Sequence, residues 1–367
     1  MSTSKSTPIR RSIEVEYWVV DREGYLVDSS PLAVASDGAE CEFVEPLLEI
    51  KTSPCETTAE LRRELFNRIH DTLQQANEMG RGLVPLATPI SHEEIREFPS
   101  ERTRIQNLVI GEDFEYVRHC AGTHIHVEQL PGREVDQFNT LIALDPALAL
   151  VNSSRWFHGR FLALGARSKL YRRMAYDELA HQGRLWRYIG TTHEWDLRLE
   201  RRYEEFVAAA LDAGVNRRAV ESNFGPESAI WTPVQLRDTF TTVEWRSPDT
   251  ALPSQVTQLA DSIAHIMERL RDSEVHIEGD SGRITDDVIV LPEFDTVLQH
   301  VDAAIRDGVS SKLLRTYLER MTFDVAAYDP LSEQEDSRDR ISPAAARKLR
   351  LDRAESLEQD VKQTVGS

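Results

Sequence analysis

The sequence predicts an α+β protein built on an antiparallel sheet, and three observations carry that prediction. Strand-like and helix-like runs do not alternate in βαβ order, which argues against a doubly wound parallel sheet. Several runs switch strictly between apolar and polar residues, the period of a half-buried strand. Those runs also place charged, ligand-type side chains on a single face. In the first, Ile13, Val15 and Tyr17 alternate with Glu14, Glu16 and Trp18. A second apolar run, Leu47, Leu48 and Ile50, ends at Thr52-Ser53-Pro54. Residues 122–128 (GTHIHVE) and 241–247 (TTVEWRS) alternate again, presenting His124, His126 and Glu128 and then Glu244 and Arg246.

Helices are expected between these strands. Thr57 and Glu60 have the spacing of a capping box, Leu61, Leu65, Ile69 and Leu73 repeat at helical intervals, and Gly80 closes the segment. Leu83 to Thr88 reads as another strand, and the charged stretch from Glu93 to Asp113 as a long mobile loop. Phe138, Leu141, Ile142 and Leu144 suggest a helix interrupted near Pro146; further helices are expected at 197–212 and 255–272. The polar, aromatic segment from Asn152 to Trp195 is too long for an ordinary connection and is read as functional.

Composition excludes several classes. With 62 acidic against 43 basic residues the formal charge is −19, so a nucleic-acid partner is not expected, since phosphate binding needs a basic face. No segment approaches ~18 uninterrupted apolar residues and the first residues are polar, which predicts no membrane span, no secretory leader and a cytoplasmic protein. Three cysteines without a CxxC pair argue for reduced thiols. Only six lysines stand among the basic residues; an acidic, lysine-poor surface suits a high-salt cytoplasm, and a GC-rich genome favouring Arg gives the same balance.

Chemistry follows from the recurrence of charge on the strand faces. A face lined with unpaired carboxylates cannot be a dry core, because burying such charge costs several kcal/mol. Oxygen ligands at this density suit Mg²⁺ or Mn²⁺, and Mg²⁺ usually arrives with a nucleotide phosphate. Glu42 and Glu49 are seven residues apart and would point to opposite faces of a regular strand, so both reach one site only if Pro46 marks a bulge or break. Phosphate-loop, GxGxxG, GxSxG, HExxH and kinase signatures are all missing from the sequence. A metal-dependent hydrolase using His124 and His126, and a non-catalytic protein whose carboxylates are merely solvated, remain open on these residues alone.

The phrases SIEVEYWVVD (12–21), EFVEPLLEIKTSP (42–54), AGTHIHVE (121–128), NSSRWFHGR (152–160) and TTVEWRSPDT (241–250) together resemble the glutamate-cysteine ligases, more closely their short carboxylate-amine ligase branch. The resemblance implies a curved sheet forming a funnel-shaped active site, flanked by helices, with a helical C-terminal region. The run of elements along the chain is itself read as a single catalytic domain over 1–330, with a sheet-bearing core at 12–275 and a helical extension at 276–330, followed by a charged, helical and partly flexible tail at 331–367. The resemblance further implies Glu14, Glu16, Glu42, Glu49, His124 and Glu244 as metal ligands. Arg246 and Glu49 become the catalytic residues, and Arg246, His126, Asn152, Arg155 and Arg160 the contacts to substrate and ATP. Arg167 and Arg172, in the same arginine-rich segment, are further candidates for the substrate α-carboxylate. The implied cofactor is Mg²⁺, with Mn²⁺ as the alternative, and the implied substrates are ATP, L-glutamate and L-cysteine.

Overall fold

The computed structural model describes residues 8–365 apart from 177, 178, 180, 336 and 337. The polar start of the chain, on which the expectation of no leader rests, lies largely outside the described residues, as do parts of the predicted charged tail.

From the N-terminus, β1 (Arg11–Asp21), α1 (Ser30–Ala35), β2 (Ala39–Cys41) and β3 (Leu47–Lys51) lead into α2 (Thr58–Glu78) and β4 (Arg81–Val84). Next come α3 (Glu101–Ile110), α4 (Glu115–Arg118), β5 (Thr123–Glu128) and α5 (Glu134–Leu144), then the short hairpin β6 (Trp156–Phe157) and β7 (Arg160–Phe161). Helices α6 (Ala166–Arg173), α7 (Thr192–Asp212), α8 (Arg217–Asn223) and α9 (Pro226–Ala229) precede β8 (Val234–Arg237) and β9 (Thr242–Trp245). After α10 (Pro253–Arg269) the strands β10 (Glu274–Ile277), β11 (Arg283–Ile284) and β12 (Val288–Leu291) form a separate small sheet, followed by α11 (Phe294–Asp307), α12 (Lys312–Arg320) and α13 (Pro343–Val365).

The principal sheet has the order β2-β3-β1-β5-β9-β8, with β4 also on β1, and every pairing in it is antiparallel. Its register explains the sorting of side chains. Val15 lies opposite Ile50, Ile13 opposite Ile125, and Ile125 opposite Trp245, so the apolar residues of four strands share one face. That face is buried under α2, α5 and α10, whose own apolar residues (Leu65, Ile69, Leu141, Leu259, Ile263) are fully buried with it. The capping box of α2 forms as expected: Thr57 accepts from the Glu60 backbone N–H while Glu60 accepts from that of Thr57.

Three expectations need correction. Residues 93–113 are not a bare loop, because α3 occupies much of the stretch, capped by Ser100, whose hydroxyl accepts from the Thr103 N–H. Its apolar pattern is weak because Thr103 and Gln106 are buried alongside Ile105 and Val109, hiding the helical period. The extension 276–330 is not purely helical, since β10, β11 and β12 are too short to register as strands by alternation. The tail is no loose appendage either. Helix α13 packs on α2 and β4, burying Leu357 and Val361, and its buried Arg350 donates to the carbonyls of Gly24 and Pro89.

Candidate active site

The opposite face of the sheet carries the charge, and the register shows why it converges. Glu14 stands opposite both Lys51 and His124, Glu16 opposite Glu49, and His126 opposite Glu244. One polar ladder therefore crosses β3, β1, β5 and β9. Farther along β1 the same face turns apolar at Trp18 and Val20, where Leu47, Val84 and Ala354 cover it and close that end. Between lies a cavity of about 270 Å³ lined by Glu14, Glu16, Glu42, Glu49, His124, His126, Glu244 and Arg246, among others.

Glu42 joins because the predicted irregularity takes the form of a tight turn. Strand β2 ends at Cys41, Glu42 N–H donates to Leu47 C=O, and β3 starts afresh after Pro46, so Glu42 in the turn and Glu49 on β3 are freed from one strand's alternation and reach one site. Three groups of ligand-type side chains have donor atoms within 4.8 Å of one another: Glu14 with Glu49 and His124, Glu14 with His126 and Glu244, and Glu16 with Glu42 and Glu49.

The electrostatics are strained by like charge. Burial, together with Glu14 and Glu16, pushes the Glu49 carboxyl up to about 8, although Lys51 lies 2.7 Å away. Burial and the neighbouring Glu49 and Glu16 also raise Glu42 well above the usual carboxylate range. Glu244 behaves oppositely. Burial disfavours its charge, but Arg246, His126, Arg237 and His124 outweigh that and bring it down to about 2. Arg246 and Arg237 donate to its two oxygens at 2.9 and 2.8 Å. Glu14 is likewise held low, burial being overcome by His124 and His126.

These residues fit a cation. The buried Nε2 of His126 has no hydrogen-bond partner, while Glu14 and Glu244 oxygens lie 3.8 and 3.7 Å from it. Its Nδ1 is 3.1 Å from Thr242 Oγ1, so the ring is oriented through one nitrogen and presents the other to the carboxylates, as metal-binding imidazoles do. Glu16 is oriented by the Gly122 N–H, which donates to it at 2.6 Å.

Not every expected residue reaches the cavity. Asn152 is buried elsewhere, donating to the Ala304 carbonyl. Arg155 donates to the Glu335 carbonyl and lies against the rings of Trp156 and Phe161, and Arg160 is exposed on β7. The reason is the β6–β7 hairpin, which pairs with the chain at 339–341 and leads these side chains away from the polar face. Arg172 is committed to the buried Asp145 at 2.8 Å. Arg167 does line the cavity, but it donates to the carbonyls of Arg246, Ser247 and Pro248 and so braces the end of β9.

Sequence reasoning missed Lys51, Arg102, Arg118 and Arg237, and an apolar wall of Phe43, Tyr171 and Trp231. Arg237 was legible in principle, since Val234, Gln235, Leu236 and Arg237 alternate like the other strands. Arg102 and Arg118 gave no such signal: Arg102 comes from a helix in the segment read as a loop, and Arg118 from the four-residue α4 just beyond it, too short to show a period.

Fold and cavity together define an α+β protein with an acidic, arginine-lined site on the polar face of an antiparallel sheet. The profile of glutamate-cysteine ligase family 2 (GCS2) matches residues 13–347, and the chain belongs to that family. A search of curated protein sequences returns no match. Among solved structures, a bifunctional glutathione synthetase from Pasteurella multocida aligns with a TM-score of 0.56 at 13% identity, over 97% of this chain and 53% of that one. This chain thus spans about half the length of that protein, and the likeness is one of fold. A glutamate–cysteine ligase from Francisella tularensis in complex with AMP aligns at a TM-score of 0.47 and 13% identity, over 97% of this chain and 95% of that one. Among the described residues no helix is long and apolar enough to cross a membrane.

Proposed function

We propose that the chain is an ATP-dependent carboxylate-amine ligase that joins the γ-carboxylate of glutamate to the amine of cysteine, giving γ-glutamylcysteine. The observation that carries this reading is the convergence of three carboxylate and imidazole groups with Arg246 on one sheet face, in a chain of this family. A γ-carboxylate oxygen attacks the γ-phosphorus of ATP and ADP leaves; the amine nitrogen then attacks the acyl phosphate, inorganic phosphate departs and the nitrogen loses its proton. Both reactants of the first step are anions, so the chain's task is to bring them together against repulsion.

Glu14, Glu16, Glu42, Glu49, His124 and Glu244 would hold Mg²⁺ or Mn²⁺, with His126 completing the group at Glu14 and Glu244. Such ions, when bound, neutralise phosphate and carboxylate charge. Arg246 spends one amino group on Glu244 and is placed to meet the equatorial oxygens of the transferring phosphoryl group with the rest of its guanidinium. Arg102 and Arg118, elsewhere in the cavity lining, replace Arg155 and Arg160 as candidates for the substrate α-carboxylate, through the donors left over once Arg102 has bonded the carbonyls of Asn223 and Ser228 and Arg118 has paired with Glu97. Phe43, Tyr171 and Trp231 offer an apolar recess for a small uncharged side chain, which suits the thiol of cysteine.

The test is phosphate release from ATP with Mg²⁺ and L-glutamate, with and without L-cysteine, at low and molar KCl. Release that requires both amino acids and disappears in Glu49→Gln and Glu244→Gln supports the assignment. Release with glutamate and another small amine, but not cysteine, keeps the ligase and replaces the acceptor. An absence of nucleotide turnover at every salt concentration rejects the ligase.

A further inference from the structure

A fourth group of metal-ligand side chains lies outside the cavity. His92, Glu115 and His158 bring donor atoms within 4.8 Å of one another, from three separate parts of the chain: the loop after β4, the first residue of α4, and the turn of the β6–β7 hairpin. His158 Nε2 is 2.8 Å from Glu115 Oε1, and the rings of His92 and His158 meet edge to face at 4.8 Å. The buried His119 sets its Nδ1 3.2 Å from the same Glu115 oxygen. A ligating carboxylate is commonly held by just such an outer partner.

The backbone is distorted to make this convergence. Among the described residues four non-glycine residues have positive φ, and two of them are Ile90 (69°) and His158 (51°). They are linked through one intervening residue, since the Gly159 N–H beside His158 donates to the Ile90 carbonyl at 2.8 Å. For a β-branched residue this conformation costs roughly 1–2 kcal/mol, and such strain gathers where a function over-determines it. Here it turns His92 and His158 towards Glu115, and the ring of Phe157 stacks on His158 at 4.0 Å and keeps it there.

We propose that His92, Glu115 and His158 form a site for a borderline divalent metal of the Zn²⁺ class, oriented by His119, that clamps α4 to the hairpin and the 90–92 loop. The donor set is two imidazole nitrogens and one carboxylate oxygen, which suits Zn²⁺ or Co²⁺, whereas the carboxylate-rich cavity suits hard cations. His92 is exposed, giving the ion a route in. The clamp bears on the cavity because Val117, Arg118 and Cys120, next along the chain from Glu115, line its wall. His119 is a positioning residue in this scheme.

Metal-stripped full-length protein, with excess Mg²⁺ present to occupy the cavity, would be titrated with Co²⁺ and followed by visible d–d absorption. The expected result is one equivalent of intense, low-coordinate Co²⁺ signal, displaced by Zn²⁺. Affinity should fall by about 100-fold or more in His92→Ala/His158→Ala, judged against the 10–100-fold typical of outer-partner changes. His119→Gln should weaken binding less and alter the spectrum, which a merely structural role would not do. The signal should survive in Glu49→Gln. His92→Ala alone changes only an exposed side chain and guards against loss of folding in the double variant. A signal unchanged in both His92 variants, a signal lost in Glu49→Gln, or no signal at all would each overturn the proposal, and none of these results bears on ligase activity.

Discussion

Ile13, Val15 and Tyr17 leave one side of β1 for a core shared with α2, α5 and α10, while Glu14 and Glu16 leave the other side for a cavity crowded with carboxylates. The two faces are separated by the thickness of one backbone, yet their energetics run in opposite directions. The apolar face gains by excluding water. The polar face gathers like charges that repel unless something positive joins them, as the raised Glu42 and Glu49 show. One strand can serve both ends because its side-chain period of two keeps the residues apart.

Substitutions on opposite sides of one strand should therefore separate function from stability. The largest effect is expected on the polar face: Glu49→Gln should lower glutamate-dependent phosphate release by about 10²–10³-fold, as loss of a transition-state electrostatic partner does. Its melting temperature without Mg²⁺ should not fall, and a parallel loss of both would mean that Glu49 serves the fold. Next in size is Ile125→Ala, between His124 and His126 but facing the core. It should destabilise by about 2–5 kcal/mol in denaturant unfolding, with turnover per folded molecule preserved.

Smaller and opposite in sign is Glu42→Gln. Relieving the repulsion from Glu49 and Glu16 should stabilise the Mg²⁺-free protein by about 1 kcal/mol. Thermal shift with and without Mg²⁺ should show wild type gaining more from the ion than the variant. An effect of similar small size, felt only at acid pH, belongs to a region away from the sheet. His300 on α11 is buried beside Tyr317, and burial, with Arg320 nearby, lowers its pKa to about 4. Because the folded value lies below the unfolded one near 6.5, its neutral form favours the fold above pH 6.5, and that contribution is lost as pH falls towards 4. In His300→Phe the decline in melting temperature across that window should be shallower, corresponding to roughly 1 kcal/mol after screening by solvent.

Much of the candidate site was readable because it obeys a local rule. Glu14, Glu16, His124, His126, Glu244 and Arg246 were all placed on one face by alternation within single strands, and the structure brings them into one cavity. Glu42 and Glu49 could be joined only by supposing a break at Pro46, and the β2–β3 turn is that break. The arginines were placed less well. Arg155 and Arg160 share a segment with Arg167, but the hairpin takes the first two away and α6 returns the third; linear density of arginine says nothing about direction. The His92, Glu115 and His158 group was invisible for the same reason, its members being scattered over 67 positions with no common period.

The sequence by itself determined the antiparallel α+β character, the capped α2 and the two faces of the central strands, because each depends on side-chain period and capping between residues a few positions apart. Tertiary structure alone decided that Arg102 and Arg118 line the cavity, that α13 closes against α2 and β4, and that three distant segments meet at Glu115. Those contacts join residues tens to hundreds of positions apart, and they exist because apolar surfaces must be covered somewhere in three dimensions, a requirement that no local pattern encodes.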